Sequence, residues 1–215
     1  MMNTPISQEM IGKWLKAWSL SRKLPLPERY TSGFKVEVGD EKQKTRYVFL
    51  NITHDFIELS KEIHEPWVYL KVCASADEVK AKVSGEWQIQ PPGYMMQCTG
   101  NMIIREQKLP EGYHMTLENH DIITSLKIFA ENGNPACSGH LILMDDMAVY
   151  DRIITEEAYR RKGLASFLMH ELEKTALSKG ISNGFLVATE QGKVLYESMG
   201  WKVNSPYTSI VIPGT

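Results

Sequence analysis

The sequence predicts an α/β (α+β) protein with a mixed, mostly antiparallel sheet flanked by helices. Three features predict it. Residues 113–118, 122–130 and 136–144 alternate as an antiparallel meander, with Asn132-Gly133 placed as a hairpin turn. The β-branched run Met147–Thr155 then enters a basic turn that opens into an amphipathic helix, Leu164–Ser178, closed by Gly180. After it come an apolar strand at 185–189, a helix at 192–199 and a final strand at 207–212.

The N-terminal half repeats part of this order. Ser7 suits an N-cap, and Ile11, Trp14, Leu15 and Trp18 fall on one helical stripe ended by Pro25 and Pro27. Residues 34–38 alternate as a half-buried strand, Gly39-Asp40 begins a turn, and 45–50 is a second strand. A helix over 53–63, a strand over 68–73 and a short helix over 76–83 follow. That strand and helix lead to Gly85-Glu86-Trp87 and then Pro91-Pro92, as the strand at 185 leads to Gly200-Trp201 and then Pro206. The second half therefore reads as echoed by the first. The stretch Lys108-Leu109-Pro110-Glu111-Gly112 reads as the linker, giving halves 1–107 and 108–215.

Composition narrows the functional classes. The formal net charge of −2 over 215 residues gives no global attraction to nucleic acid or an anionic membrane. No apolar run approaches the ~20 residues of a membrane helix. Three separated cysteines, Cys73, Cys98 and Cys137, suit reduced thiols and a cytoplasmic location rather than a disulfide framework. The six histidines show no metal-ligand spacing, so no metal is expected. Nor does the sequence show a Ser/His/Asp or Cys/His arrangement for covalent catalysis.

The chemistry concentrates after residue 150. The first N–H groups of a helix lack intrahelical partners and carry partial positive charge, so they favour anions. Gly163 leaves room for a phosphate beside the backbone, and Arg160, Arg161 and Lys162 surround it with charge. A second signature follows some thirty residues on, Leu195-Tyr196-Glu197-Ser198-Met199-Gly200-Trp201. Asp151 shares one strand face with Ile153 and Thr155 and could accept a proton, act through water or hold an ammonium; Glu190 is a second carboxylate for that role.

Together the two signatures resemble the GNAT superfamily of acyl-CoA-dependent N-acyltransferases, whose loop reads Arg/Gln-x-x-Gly-x-Gly/Ala; here it spans residues 160–165. The resemblance covers residues 136–212. It implies a GNAT-like sheet splayed at the cofactor strand, a degenerate GNAT-like N-terminal half, and acetyl-CoA as cosubstrate. Ile153, Ile154 and Thr155 would pair with the pantetheine amides, and Arg161, Lys162, Gly163, Leu164, Ala165 and Ser166 would bind the pyrophosphate. Tyr196 would be the general acid. Thr189 stands where the family often has an asparagine that touches the cofactor.

The family usually inserts two helices between its first two strands, whereas only Asn119-His120-Asp121 stands there in this chain. The N-terminal half is accordingly expected to wall the acceptor site, with Tyr94-Met95-Met96 as part of that wall. The expected function is acetyl transfer to a primary amine, on a small molecule or a peptide, by direct attack in a ternary complex. The alternatives are a non-catalytic CoA-binding regulatory or scaffold protein, and transfer of another acyl group or to a protein side chain.

Overall fold

A computed structural model of the chain describes residues 5–103 and 108–214. Two compact units emerge: Met1–Met96 with Val187–Lys193 and Val203–Thr215, and Gln97–Leu186 with Val194–Lys202. These bounds differ from a division at 107/108, because the C-terminal strand returns to pair within the N-terminal unit.

The N-terminal unit begins with helix α1 (Gln8–Leu20), whose N-cap Ser7 accepts from the Met10 N–H. Its buried stripe of Ile11, Trp14, Leu15 and Trp18 is the one the periodicity predicts. Strands β1 (Glu28–Tyr30), β2 (Gly33–Asp40) and β3 (Gln43–Phe49) form an antiparallel ladder. Helix α2 (His54–Glu62) then crosses to β4 (Val68–Val72), which runs parallel to β3. Helix α3 (Ala76–Lys80) is shorter than the predicted 76–83 and is closed by a capping box between Ser75 and Glu78. The two-residue β5 (Gln88–Ile89) and the long β12 (Lys202–Val211) complete this ladder, with β12 antiparallel to β4. Pro206 lies inside β12, which therefore starts five residues before the predicted 207.

Phe49, Phe56, Leu59, Leu70, Val72, Trp87 and Ile210 form one core of this unit. On the opposite strand faces the register sets Lys71 beside Ser209, and its Nζ donates to the Ser209 hydroxyl at 2.7 Å. Burial, reinforced by the Arg46 charge, holds the Lys71 amine well below the usual lysine range. Strand β6 (Gly93–Thr99) was not legible as a strand, and it buries Met95 and Met96 completely. Those two methionines are core residues and present no wall to a ligand.

In the C-terminal unit, β7 (Tyr113–His120), β8 (Ile123–Ala130), β9 (Pro135–Met144) and β10 (Met147–Thr155) form the predicted meander, in unbroken antiparallel succession. The β7–β8 connection is a two-residue turn with Asp121 at φ +53°, so no helix intervenes there. Helix α4 (Leu164–Ser178) leads to β11 (Asn183–Thr189), parallel to β10 at Ala148↔Gly184 and Val149↔Phe185. Helix α5 (Glu190–Ser198) begins two residues before the predicted 192, because the Thr189 hydroxyl accepts from the Gly192 N–H and caps its first turn. Gly184 admits the Trp201 ring, which a Cβ at that position would meet at 2.8 Å. No helix among the described residues is long and apolar enough to cross a membrane.

Candidate active site

Within the C-terminal unit the β10–β11 ladder ends at Val149↔Phe185, whereas β10 continues to Thr155 with β9 as its partner. Among the described residues of that unit, no second strand pairs with residues 152–155 on the side away from β9. A β-bulge sharpens the opening: Asp151 pairs with His140 and Ile154 with Ser138, so two residues oppose Gly139 alone. Arg152 takes φ +53° to make the bulge, a conformation uncommon outside glycine. Gly139 leaves room there, since a Cβ would lie 2.5 Å from the end of the Ile153 side chain and 2.8 Å from that of Leu168 on α4. Ile153 thus packs inward against the helix, while Ile154 is half exposed. Their backbone edge, rather than both side chains, is what an extended ligand could pair with.

The turn after β10 is a short 3₁₀ segment, Glu157–Tyr159, followed by the basic residues. Arg160 donates from Nε to the Thr155 carbonyl at 3.3 Å, tying the turn to the end of the strand. Lys162 lies over the Tyr159 ring at 5.3 Å, and that ring packs edge-on to Tyr113. Arg161 at φ +64° and Gly163 at φ +78° bring two positive-φ residues into three positions, the backbone habit of anion-binding nests. Gly163 is the N-cap of α4 and supplies no side-chain bond, and no acidic residue occupies the first turn. The opening amides of residues 164–166 are therefore left for an external acceptor, with three exposed cations beside them. The predicted loop residues all converge on this one turn.

Tyr196 is 7 % exposed on α5, and its ring lies 6.0 Å from that of Trp201. Burial pushes its phenol above the usual range, and the neighbouring Cys137 and Asp151 charges push it the same way. Asp151 and Cys137 thus lie within electrostatic reach of Tyr196. The Cys137 thiol, pushed up to about 11 chiefly by burial, shares a 3.3 Å hydrogen bond with the Thr155 hydroxyl at the end of β10. Thr189 belongs to the N-terminal unit, where its hydroxyl caps α5. Glu190, the second carboxylate considered, accepts a hydrogen bond from Tyr94 in that same unit.

Sequence reasoning missed a polar row. Ser125 on β8 pairs with His140 on β9, which pairs with Asp151 on β10, so the three side chains share one sheet face. The Ser125 hydroxyl and His140 Nδ1 are 2.8 Å apart. Only strand register brings them together, since the three lie 15 and 11 positions apart in the chain. Among the described residues no group of three or more His, Cys, Asp or Glu is placed to hold a metal ion.

Residues 119–203 match the family model described as an acetyltransferase (GNAT) domain. No curated protein sequence matches the chain. Among solved structures, a GCN5-related N-acetyltransferase from Kribbella flavida superposes with a TM-score of 0.68 at 12 % identity, covering 99 % of this chain and 98 % of that one. A second GCN5-related N-acetyltransferase, from Sphaerobacter thermophilus, gives 0.62 at 11 % identity over 86 % of this chain and 78 % of that one. A tandem GNAT protein from the clavulanic acid biosynthesis pathway gives 0.56 at 10 % identity, covering 99 % and 98 %. At such identities the likeness is one of fold.

Proposed function

From the GNAT acetyltransferase domain that residues 119–203 form, we propose that the protein moves an acetyl group from acetyl-CoA to a primary amine by direct attack in a ternary complex. The observation that carries this reading is the uncapped, glycine-led start of α4, which follows the stretch of β10 that runs on beyond its pairs with β11. These two features fit the two ends of the cofactor. Amides 164–166 with Arg161 and Lys162 would hold the pyrophosphate, and the backbone of residues 153–155 would pair with pantetheine. Acetyl-CoA supplies the activated acetyl group.

The chain's own residues then handle protons. Tyr196 keeps its proton at any physiological pH, because burial raises its phenol, and it donates a hydrogen bond to the sulfur as negative charge develops there. Asp151 receives or relays the proton released by the amine, and its register partner His140, held by Ser125, offers an imidazole along the same face. The N-terminal half is assigned as a degenerate copy of the same strand–helix–strand unit. Its β3–α2–β4 is also a parallel crossover, but the helix start is closed by its own side chains.

Thiol release from acetyl-CoA measured against a panel of primary amines tests the assignment, alongside calorimetric titration with CoA. Binding without turnover of any amine would convert the protein into a CoA-binding module. Absence of both would overturn the reading.

A further inference from the structure

The strand at the end of the C-terminal sheet is unusual for an edge. Among the described residues β7 pairs only with β8, in eight successive partners without a bulge. Natural edge strands are commonly blunted by lysine, proline, a bulge or shortness, since their unpaired N–H and C=O groups template further pairing. The β7 sequence Tyr-His-Met-Thr-Leu-Glu-Asn-His contains no lysine, arginine, proline or glycine. Seven of its eight residues are exposed, among them Met115 at 40 % and Leu117 at 39 %.

We infer that β7 is a homodimer interface, pairing antiparallel with β7 of a second copy about a two-fold axis through Thr116. The register follows from symmetry. An axis perpendicular to the sheet requires opposite residues to share a face, so the pairing must centre on a residue. Centred on Thr116, it sets Met115 against Leu117, twice, and Thr116 against itself. His114 then faces Glu118, again twice, which matches an imidazole with a carboxylate. On one face Met115 and Leu117 continue the apolar row of Ile128 and Leu126, while on the other Thr116 and Glu118 stand beside Lys127 and Ser125. A register centred on Leu117 instead would oppose Met115 to Asn119 and His114 to His120, losing both complementarities. The strand is thus complementary to itself in a way an unrelated partner would have to imitate.

Sedimentation velocity on the full chain tests this. The expected species has twice the 24.5 kDa chain mass. Thr116→Glu places two carboxylates opposite each other across the axis, while each faces its own Lys127 on β8. It should raise the dimer dissociation constant at least about tenfold with an unchanged circular dichroism spectrum. Register is checked by mixing Met115→Cys and Leu117→Cys chains under oxidation, which should cross-link to each other in preference to themselves. A wild-type chain that stays monomeric, a dimer indifferent to Thr116→Glu, or cross-linking without preference for the mixed pair would overturn the proposal.

Discussion

Helices α2 and α4 both follow a strand and lead to a parallel neighbour, yet their N-termini are opposites. Thr53 caps α2 with its side chain, accepting from the Phe56 N–H at 3.3 Å, and Asp55 puts a carboxylate in the first turn. That carboxylate is itself occupied, accepting from the Ser32 N–H at 3.1 Å. Helix α4 starts from a left-handed glycine with no cap, no acid and three preceding cations. Both meet the same problem of orphan amides, one with the chain's own oxygens and the other by leaving them open to an outside acceptor. A helix that closes its own dipole in this way contributes stability. One that leaves it open has some of that stability missing until an anion arrives.

Four experiments press on this contrast. Gly163→Val has the largest expected effect: a β-branched residue at φ +78° is strained and fills the space beside the amides. Calorimetry should then detect no CoA binding, with Gly163→Ala as a milder control for folding. Affinity equal to wild type would remove the open helix start from the site. Tyr196→Phe comes next and should lower kcat by ~10²–10⁴-fold at unchanged CoA affinity, measured where chemistry limits the rate. A wild-type kcat would leave the phenol a packing residue.

The third concerns pH. The Lys71 amine is lowered in the folded state against an unfolded value near 10.5, so the unfolded chain binds more protons between those limits. Stability should therefore rise with pH through that window, by up to about 1.4 kcal/mol per unit, and fall as pH drops. Lys71→Met should flatten that rise in urea unfolding followed at several pH values, and an unaltered pH profile would contradict a buried neutral amine. The smallest effect belongs to Thr53→Ala, which should cost about 1 kcal/mol of stability and leave CoA affinity untouched. A change in affinity would mean that the α2 start also takes part in cofactor binding.

What the sequence made legible was local along the chain. The basic turn and the tyrosine helix each fit within about seven residues, so spacing alone exposed them. The meander was equally readable, because alternation has a period of two and Asn132-Gly133 marks its hairpin. The Ser125–His140–Asp151 row was not, since it depends on the register of three strands. The bulge at Arg152 was hidden for a similar reason: arginine carries no preference for a left-handed conformation, and only the pairing of β10 with β9 reveals the extra residue. The unit boundaries escaped because β12 rejoins a ladder formed more than a hundred residues earlier.

Gly139 belongs to neither signature, yet two side chains share the space it leaves. With no side chain of its own, it makes room over β9 for the ends of Ile153 from β10 and Leu168 from α4. One added methyl group would stand where the ends of both side chains now lie, and those ends would have to turn aside to admit it. Whatever Gly139→Ala costs in urea unfolding should therefore be recovered by trimming Leu168 or Ile153, and by no change of charge in the loop.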